Sequence, residues 1–333
     1  MSTDKLLSVH NLCVELSTAQ GRIRPVDDVS IDLRRGEVMG LVGESGSGKS
    51  LTCRALMGLL PGNVTSNVTA ALEVDGEHID ISSTKALRRI RGREIAMIFQ
   101  NPSSYLDPLM PVWRQIAEPL LSREGLGRGE ARAQAVALMR KVGIPDPPNN
   151  ARAYPHQLSG GMKQRVMIAA ALACKPKVLI ADEPTTALDV TVQMQILRLL
   201  LDLRKESGLS IILVTHDLAV VSMVCDSVNV MYCGRIVEHG ERNDVLGTPA
   251  HPYTKALLSS EPSLLGEGEE LKAISGQLPP LNKLPSGCRY RSRCEFVLER
   301  CADQDPELRA VHGAHLAACL RCEELAGRNE ALA

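Results

Sequence analysis

The sequence predicts an α/β fold in which a parallel sheet is covered by helices on both faces. Short apolar runs typical of buried strands occupy residues 38–42, 177–182 and 210–215. Leucine and isoleucine recur at helical spacing through residues 191–206, and Gly208 follows as a C-terminal cap. Strands that alternate with helices in this way favour a parallel sheet.

The remaining segments place smaller units around this core. Residues 7–16 and 26–34 alternate apolar and polar side chains, which predicts an antiparallel β-subdomain. Residues 51–60 have helical spacing directly after the first buried strand. Prolines and an amphipathic helical stretch at 129–142 predict a helical subdomain at about 101–173, inserted between two strands of the core sheet.

The chain changes character after about Gly247, where prolines become frequent and the pattern becomes loop-like. We therefore predict one large domain at 6–247 and a small, loop-rich C-terminal extension at 248–333. A chain of 333 residues is long enough for both.

The bulk composition excludes some partners and locations. Thirty-eight basic residues stand against 39 acidic ones, so no global basic field attracts nucleic acid, and we expect no nucleic-acid partner. No apolar run approaches the ~18 residues that a membrane span requires. The N-terminus lacks the apolar region of a secretory signal, so we expect a cytoplasmic protein.

Residues 43–50, Gly-Glu-Ser-Gly-Ser-Gly-Lys-Ser, match the phosphate-loop pattern without a mismatch. Its glycines let backbone N–H groups turn onto phosphates, and the following helix adds its positive N-terminal end. Lys49 is predicted to reach the β- and γ-phosphates, and Ser50 to ligate Mg²⁺. The predicted ATP-binding residues are Gly43, Glu44, Ser45, Gly46, Ser47, Gly48, Lys49, Ser50 and Leu51.

Two acids, Asp182 and Glu183, end the buried strand at 177–182. Ligands of open α/β sheets bind in the crevice outside the carboxyl ends of the strands. We predict that Asp182 holds Mg²⁺ through water and that Glu183 polarises the attacking water. The alternative, a pair of solvated acids, is weakened by the phosphate loop.

A second anion site is predicted where Leu158-Ser-Gly-Gly-Met162 precedes the helical run 164–173. Ser159 is a natural N-cap, and the glycines expose backbone donors at the positive end of a helix. One γ-phosphate cannot occupy both anion sites within a monomer of ordinary geometry. We therefore predict a head-to-tail dimer in which one ATP lies between two subunits. The residues of this second motif are Leu158, Ser159, Gly160, Gly161 and Met162.

Together these motifs resemble the ATP-binding subunits of ABC transporters, a type of P-loop NTPase. The segments that carry the resemblance, in chain order, are residues 43–50, Gln100, 158–162, 180–184, 187–189 and His216. It implies that Gln100 contacts Mg²⁺ and the coupling loop, that Asp189 communicates across the dimer, and that His216 contacts the γ-phosphate. The implied catalytic residues are Glu183, His216 and Gln100, and the implied Mg²⁺ ligands are Ser50, Gln100 and Asp182.

Two positions depart from the family pattern. The aromatic residue expected to stack on adenine is absent, and Ile23 stands at that position, so we expect weaker base stacking. Met162 replaces the commoner glutamine as the fifth signature residue. The same replacement is familiar among peptide importers of the family.

Four cysteines, Cys288, Cys294, Cys301 and Cys319, cluster in the extension. Their thiolates suit a tetrahedral zinc ion or an iron–sulfur cluster, although the spacing is not that of zinc ribbons. Unmetallated thiols are the third alternative. The segments 251–254 and 287–294 resemble the extension of the oligopeptide/dipeptide (peptide/nickel) importer ATPases, and this resemblance implies a [4Fe–4S] cluster.

The resemblance implies an ATPase that drives the import of di- or oligopeptides at the cytoplasmic face of the membrane. Its implied partners are two membrane-spanning permeases, an extracytoplasmic binding protein and a second ATP-binding subunit, for which the family favours a paralogue over a copy of this chain. Nickel chelates, glutathione or other small solutes are alternative cargoes. A soluble ABC ATPase of translation or DNA repair is disfavoured, because the chain has neither tandem domains nor a long coiled-coil insertion. The cysteine tail is either a structural staple or a redox or metal sensor.

Overall fold

The described residues fall into two compact units. The computed structural model describes residues 5–18, 21–60, 65–186, 188–264 and 271–325. Unit 1 comprises the described parts of residues 34–36 and 85–212, together with residues 5 and 6. Unit 2 comprises the described parts of residues 7–33, 37–84 and 213–325. The sequence division at residue 247 stays a prediction.

The secondary structure of the described residues alternates strands and helices along most of the chain. The strands are β1 (Lys5–Thr18), β2 (Gly21–Arg34), β3 (Val38–Val42), β4 (Thr65–Val74), β5 (Glu77–Ile79), β6 (Ile95–Ile98), β7 (Val178–Asp182), β8 (Ser210–Thr215), β9 (Ser227–Tyr232), β10 (Arg235–Glu241), β11 (Arg309–His312) and β12 (His315–Ala317). The α-helices are α1 (Lys49–Leu56), α2 (Thr84–Ile90), α3 (Pro102–Tyr105), α4 (Val112–Ser122), α5 (Arg128–Lys141), α6 (Pro147–Asn150), α7 (Gly160–Leu172), α8 (Val190–Ser207), α9 (Leu218–Val224), α10 (Arg242–Gly247) and α11 (Pro252–Ser259).

The antiparallel subdomain predicted before the phosphate loop is present in unit 2, where the strands follow the order β2, β1, β4, β5. In β1 the buried side chains change phase between Val9 and Leu12. A β-bulge between His10 and Cys13 absorbs this change, with Asn11 at a φ of 53°. The extra residue therefore keeps the apolar side chains on one face of the sheet.

The second sheet region of unit 2 begins with β3, which is buried along its whole length and pairs in parallel with β9. Antiparallel pairing continues from β9 to β10, then to β12 and β11. The extension is therefore more ordered than its loop-like sequence predicts, since α11, β11 and β12 all lie in it. Strands of three or four residues are too short to show a periodicity.

Unit 1 contains the parallel pair of β6 and β7 and the helices α3 to α7. The helices α4, α5 and α7 pack on one another, in agreement with the helical segment predicted after residue 101. Asp189 caps the start of α8, and Gly208 ends it at a φ of 66°. Across the described residues, no helix is long and apolar enough to cross a bilayer.

A buried carboxylate ties the extension to β10. Glu238 has no exposed surface, and its oxygens accept hydrogen bonds from the backbone N–H groups of Ala250 and His251 at 2.7 and 3.0 Å. The Nε2 atom of His315 lies 2.7 Å from the same carboxylate. The carboxylate thus joins the start of α11 to β12 through groups that the sequence separates widely.

We expect Glu238→Ala to lower the free energy of unfolding by about 3–5 kcal/mol, because it leaves buried donors without their acceptor. Urea denaturation followed by circular dichroism measures this change. The matched control is the exposed Glu307 of the same extension, for which Glu307→Ala should change the value by less than about 0.5 kcal/mol. Equal effects of the two variants would contradict the structural role of Glu238.

Candidate functional site

The phosphate loop lies in unit 2, between β3 and α1. Gly43, Gly46 and Gly48 have φ angles of +147°, +85° and +112°, which side-chain-bearing residues rarely adopt. A Cβ atom on Gly43 would lie 2.2 Å from the carbonyl oxygen of Met231, and one on Gly48 would lie 2.5 Å from that of Pro25. Glycine is therefore required both for the turn and for the close approach of neighbouring backbone.

Lys49 lies at the centre of this loop and is 5% exposed. Its Nζ atom donates to the carbonyl oxygens of Gly43 and Glu44 at 2.7 and 2.9 Å. The helix α1 starts at Lys49 and is not capped by a side chain, so its first N–H groups remain directed into the loop. A buried cation, a helix N-terminus and inward-turning glycines together form a binding site for phosphate.

Two residues of the extension hold Glu44, the second residue of the loop. The backbone N–H of Glu44 donates to the Tyr253 hydroxyl at 2.8 Å. The guanidinium of Arg293 donates to both carboxylate oxygens of Glu44, at 2.7 and 2.9 Å. Neither partner was predicted as a site residue, although both lie in the two segments that carry the resemblance to the peptide importers.

The acid pair Asp182 and Glu183 lies in unit 1, together with Gln100. Asp182 is 1% exposed at the end of β7. The Glu183 carboxylate accepts hydrogen bonds from Gln100 Nε2 at 2.5 Å and from the Thr186 hydroxyl at 2.9 Å. Glu183 has a φ of 46°, a strained backbone conformation of the kind that clusters at functional sites.

The structure therefore brings Gln100 and Glu183 together. The sequence analysis did not single out Thr186, and its only signal is its position three residues after the acid. Ala187 of the same segment lies outside the described residues.

The second predicted motif also lies in unit 1 and has the expected cap. The Ser159 hydroxyl accepts a hydrogen bond from Met162 N at 3.3 Å at the start of α7. The Asp189 carboxylate caps α8 by accepting from Val192 N at 2.9 Å. A Cβ atom on Gly161 would lie 2.8 Å from a methyl group of Val192, so a larger residue would push the two helix starts apart.

The other predicted site residues have simple placements. Ser50 and Leu51 lie in the first turn of α1, and Ser45, Gly46 and Ser47 lie in the loop before it. Leu158 is buried and Gly160 begins α7. His216 is exposed directly after β8, in the same unit as the phosphate loop. Ile23 is half-buried in β2.

The four clustered cysteines line one small cavity of unit 2, which His251 and Arg321 also line. The pKa of the Cys288 thiol is raised to about 11 and that of the Cys319 thiol to about 12, chiefly by burial and also by neighbouring cysteines. Burial likewise raises the pKa of Cys294. The described residues contain no group of three or more His, Cys, Asp or Glu side chains arranged to hold a metal ion.

Comparisons with known proteins connect this geometry to a family. Residues 26–186 match the family described as ABC transporter, and residues 237–301 match that described as oligopeptide/dipeptide transporter, C-terminal region. The oligopeptide transport ATP-binding protein OppD of Salmonella typhimurium is 45% identical over 96% of this chain and 95% of its own. The dipeptide transport ATP-binding protein DppD of Escherichia coli is 43% identical over 97% of this chain and 98% of its own.

Solved structures share the fold. The cbiO1 protein from Clostridium perfringens, part of the cbiONQ ABC transporter complex, has 30% identity and a TM-score of 0.61, over 73% of this chain and 91% of that chain. The ATP-binding cassette MJ0796, solved as a dimer in a post-hydrolysis state with ADP and Pi, has 27% identity and a TM-score of 0.62, over 71% and 98% of the two chains. These matches confirm the predicted fold class.

The phosphate loop and the family match define an ATPase with an α/β fold. The chain belongs to the family of ABC transporter ATP-binding proteins, and it carries the C-terminal region of the oligopeptide/dipeptide group.

Alanine substitutions should distinguish the two reasons for glycine at position 48, which are its positive φ and the close approach of neighbouring backbone. Gly76, in the turn after β4, has a φ of +78° and open space around its Cβ position, so Gly76→Ala should cost only the ~1–2 kcal/mol of the left-handed conformation. Gly48→Ala should cost roughly 1–3 kcal/mol more, because its Cβ atom meets backbone. Thermal unfolding of both variants checks the difference, and equal losses would contradict the close approach seen at Gly48.

Proposed function

We propose that this ABC ATPase energises the import of oligopeptides or dipeptides through partner permeases. One observation carries the proposal: a single chain joins the phosphate loop of an ATPase to the C-terminal region of the oligopeptide/dipeptide transporters. The relatives named for oligopeptide and dipeptide transport cover nearly the whole chain, which favours peptides over nickel chelates, glutathione or other small solutes as cargo.

The chemistry of the site supports hydrolysis by in-line attack of water on the γ-phosphate. Glu183 acts as the base or positions the water, and its hydrogen bonds to Gln100 and Thr186 fix the carboxylate before substrate arrives. Lys49 supplies positive charge to the β- and γ-phosphates, and His216 contacts the γ-phosphate. Catalysis of phosphoryl transfer rests mainly on such positioning and charge stabilisation.

Ser50, Gln100 and Asp182 would hold Mg²⁺. These side chains suit the ion, because a hydroxyl, an amide oxygen and a buried carboxylate are the hard oxygen ligands that Mg²⁺ prefers. When bound, Mg²⁺ neutralises the charge that develops on the phosphate oxygens.

A dimer completes the proposed site. Residues 158–162 of one subunit contact the ATP that the phosphate loop of the other subunit holds, and Asp189 communicates across the contact. The capped start of α7 supports this role, since it offers backbone donors to an anion. We favour a paralogous ATPase as the second subunit, with two permeases and an extracytoplasmic binding protein, and we place the complex at the cytoplasmic face of the membrane.

Replacing Glu183 tests the catalytic assignment. Glu183→Gln should lower the rate of ATP hydrolysis at least about 100-fold, because the amide cannot accept a proton, whereas ATP binding is retained and the ATP-bound dimer accumulates. Phosphate release and size-exclusion chromatography with ATP measure both effects. Glu130→Gln, at an exposed carboxylate of the same unit, is the control and should hydrolyse at the wild-type rate. An unchanged rate in Glu183→Gln would refute the role of Glu183.

The cargo is tested by uptake in cells that make the protein. Deleting its gene should abolish most uptake of a radiolabelled tripeptide and leave uptake of a free amino acid unchanged. The wild-type gene should restore peptide uptake, and the Glu183→Gln variant should not. Peptide uptake that survives the deletion would move the proposal to another solute.

We propose a [4Fe–4S] cluster rather than a single zinc ion at the four clustered cysteines, as the resemblance to the peptide-importer extension implies. Tetrahedral zinc would draw its sulfur ligands to roughly 3.8 Å from one another, given Zn–S bonds of about 2.3 Å, and the described residues hold no such group. A cluster separates its ligands further and is compatible with four thiols that line one cavity. Cys288, Cys294, Cys301 and Cys319 would hold it. When bound, it would cross-link residues 288–301 to Cys319.

We expect about four irons and four sulfides per chain after anaerobic purification. Cys294→Ser should remove most of the iron, whereas Cys13→Ser, in β1, should retain it. Because the thiols have raised pKa values, their protons must be released when the cluster binds, so iron retention should fall as the pH is lowered. Zinc, or no metal at all, would contradict the cluster and leave the ATPase assignment in place.

A further inference from the structure

We propose that Arg293 is a positioning residue for the phosphate loop, and that the cysteine-bearing segment 288–294 thereby sets the affinity of this chain for ATP. The observation is that Arg293, next to Cys294, forms a two-pronged ion pair with Glu44 of the phosphate loop. Both residues lie in unit 2.

The environment of Arg293 fixes its direction. The side chain is 3% exposed, and its charged end lies 5.8 Å from the ring centre of Tyr232 and 5.9 Å from that of Tyr290. The Nε atom donates to the Ser275 carbonyl at 2.7 Å. The guanidinium is therefore held on three sides, with one donor each of Nη1 and Nη2 directed at Glu44. A planar fork that is held in place binds a carboxylate with defined geometry.

Glu44 transmits this constraint to the phosphate-binding lysine. Its carbonyl oxygen accepts a hydrogen bond from Lys49 Nζ at 2.9 Å and another from Ser47 N at 3.2 Å. A displacement of Glu44 therefore moves an acceptor of the Lys49 ammonium and the tip of the loop together. Arg293 acts on the nucleotide through Glu44 and does not itself touch the phosphates.

Two further contacts join the extension to the same loop. Tyr253 accepts the backbone N–H of Glu44 and packs against Tyr290, with ring centres 5.4 Å apart. A methyl group of Leu278 lies 3.4 Å from the Cβ position of Gly46. Three parts of the extension therefore lie against the loop: Tyr253 and Arg293 at Glu44, and Leu278 beside Gly46.

The cysteine-bearing segment is short and anchored at both ends. Arg293 ends a 3₁₀ turn, Arg291–Arg293, and Cys294 follows as its C-terminal cap. At the other end, Arg289 donates to the Cys233 carbonyl at 2.5 Å and pairs with Asp27. A change at Cys288 or Cys294, whether metal loss, oxidation or alkylation, is therefore at most one residue away from an arginine that contacts the ATPase core.

Coupling of this kind is reciprocal, because an event at the cysteines that weakens ATP binding must itself be opposed by bound ATP to the same degree. The proposal rests on ATP binding by the phosphate loop, which the proposed function also requires. Failure of the proposed function and failure of this inference can be distinguished, since the wild-type chain reports on ATP binding and the variants report on the coupling.

The test is a double-mutant cycle on nucleotide affinity with the full-length chain, using calorimetry with ATP and EDTA to prevent turnover. Arg293→Met and Glu44→Gln should each raise the Kd for ATP by about 5- to 100-fold, a range typical of coupling between sites. The double variant should be no worse than the poorer single variant, because both changes remove one interaction. Arg309→Met, which removes an exposed arginine from the same extension, should stay within about twofold of the wild type.

Each outcome bears either on the proposed function or on the role of Arg293. A wild-type chain that binds no ATP would defeat the proposed function. Normal wild-type binding with an unchanged Arg293→Met variant, or single effects that multiply in the double variant, would overturn the inference.

A second measurement serves if Arg293→Met does not fold. In the wild-type chain as purified, ATP should slow chemical attack on Cys294, measured as release of iron to a chelator if the chain holds a cluster and as alkylation by iodoacetamide, followed by peptide mass spectrometry, if it does not. The milder Arg293→Lys variant, which keeps the charge and loses the two-pronged geometry, should lose most of this protection. Equal rates of this attack with and without ATP in the wild type would also overturn the inference.

Discussion

The buried ammonium of Lys49 is the constraint around which the phosphate loop is built. A charge removed from water is tolerated only when hydrogen-bond acceptors surround it. Here the carbonyl oxygens of Gly43 and Glu44 turn inward to supply them. That turn requires the left-handed and mirror-region backbone that the loop glycines provide.

In unit 1 the equivalent constraint acts on Glu183. A buried strand, β7, carries the chain to its end, and the backbone then adopts the strained φ of 46°. Hydrogen bonds from Gln100 and Thr186 offset the cost of this conformation and give the carboxylate one direction. A carboxylate that is oriented before substrate binds needs less reorganisation during a reaction, which supports the role proposed for Glu183.

The extension is held by polar interactions more than by a large core. One of its apolar clusters consists of Ala250, Ala317 and Cys322, with Val311 and Cys319 packed against it. Polar pairs of buried or partly buried side chains attach it, through Glu238 with His315, Arg289 with Asp27, and Arg293 with Glu44. A removed partner would leave an uncompensated charge, so such pairs specify one arrangement strongly. This explains how a segment rich in proline can brace a nucleotide site.

The sequence by itself determined the periodic elements and the local motifs. Strands β3 and β7, helix α8 with its end at Gly208, and the Ser159 cap all follow from neighbours within a few residues, because burial pattern and capping are local properties. The phosphate loop could also be predicted from the sequence, since its glycines adopt backbone angles that other residues rarely adopt.

Only the tertiary structure decided which distant groups meet. Arg293 and Glu44 are separated by 249 residues, and Tyr253 and Glu44 by 209, so no spacing rule connects them. Short strands such as β12 gain their structure from the partner strand rather than from a periodicity of their own. Charge pairing and edge-strand addition depend on three-dimensional proximity, which a one-dimensional pattern does not contain.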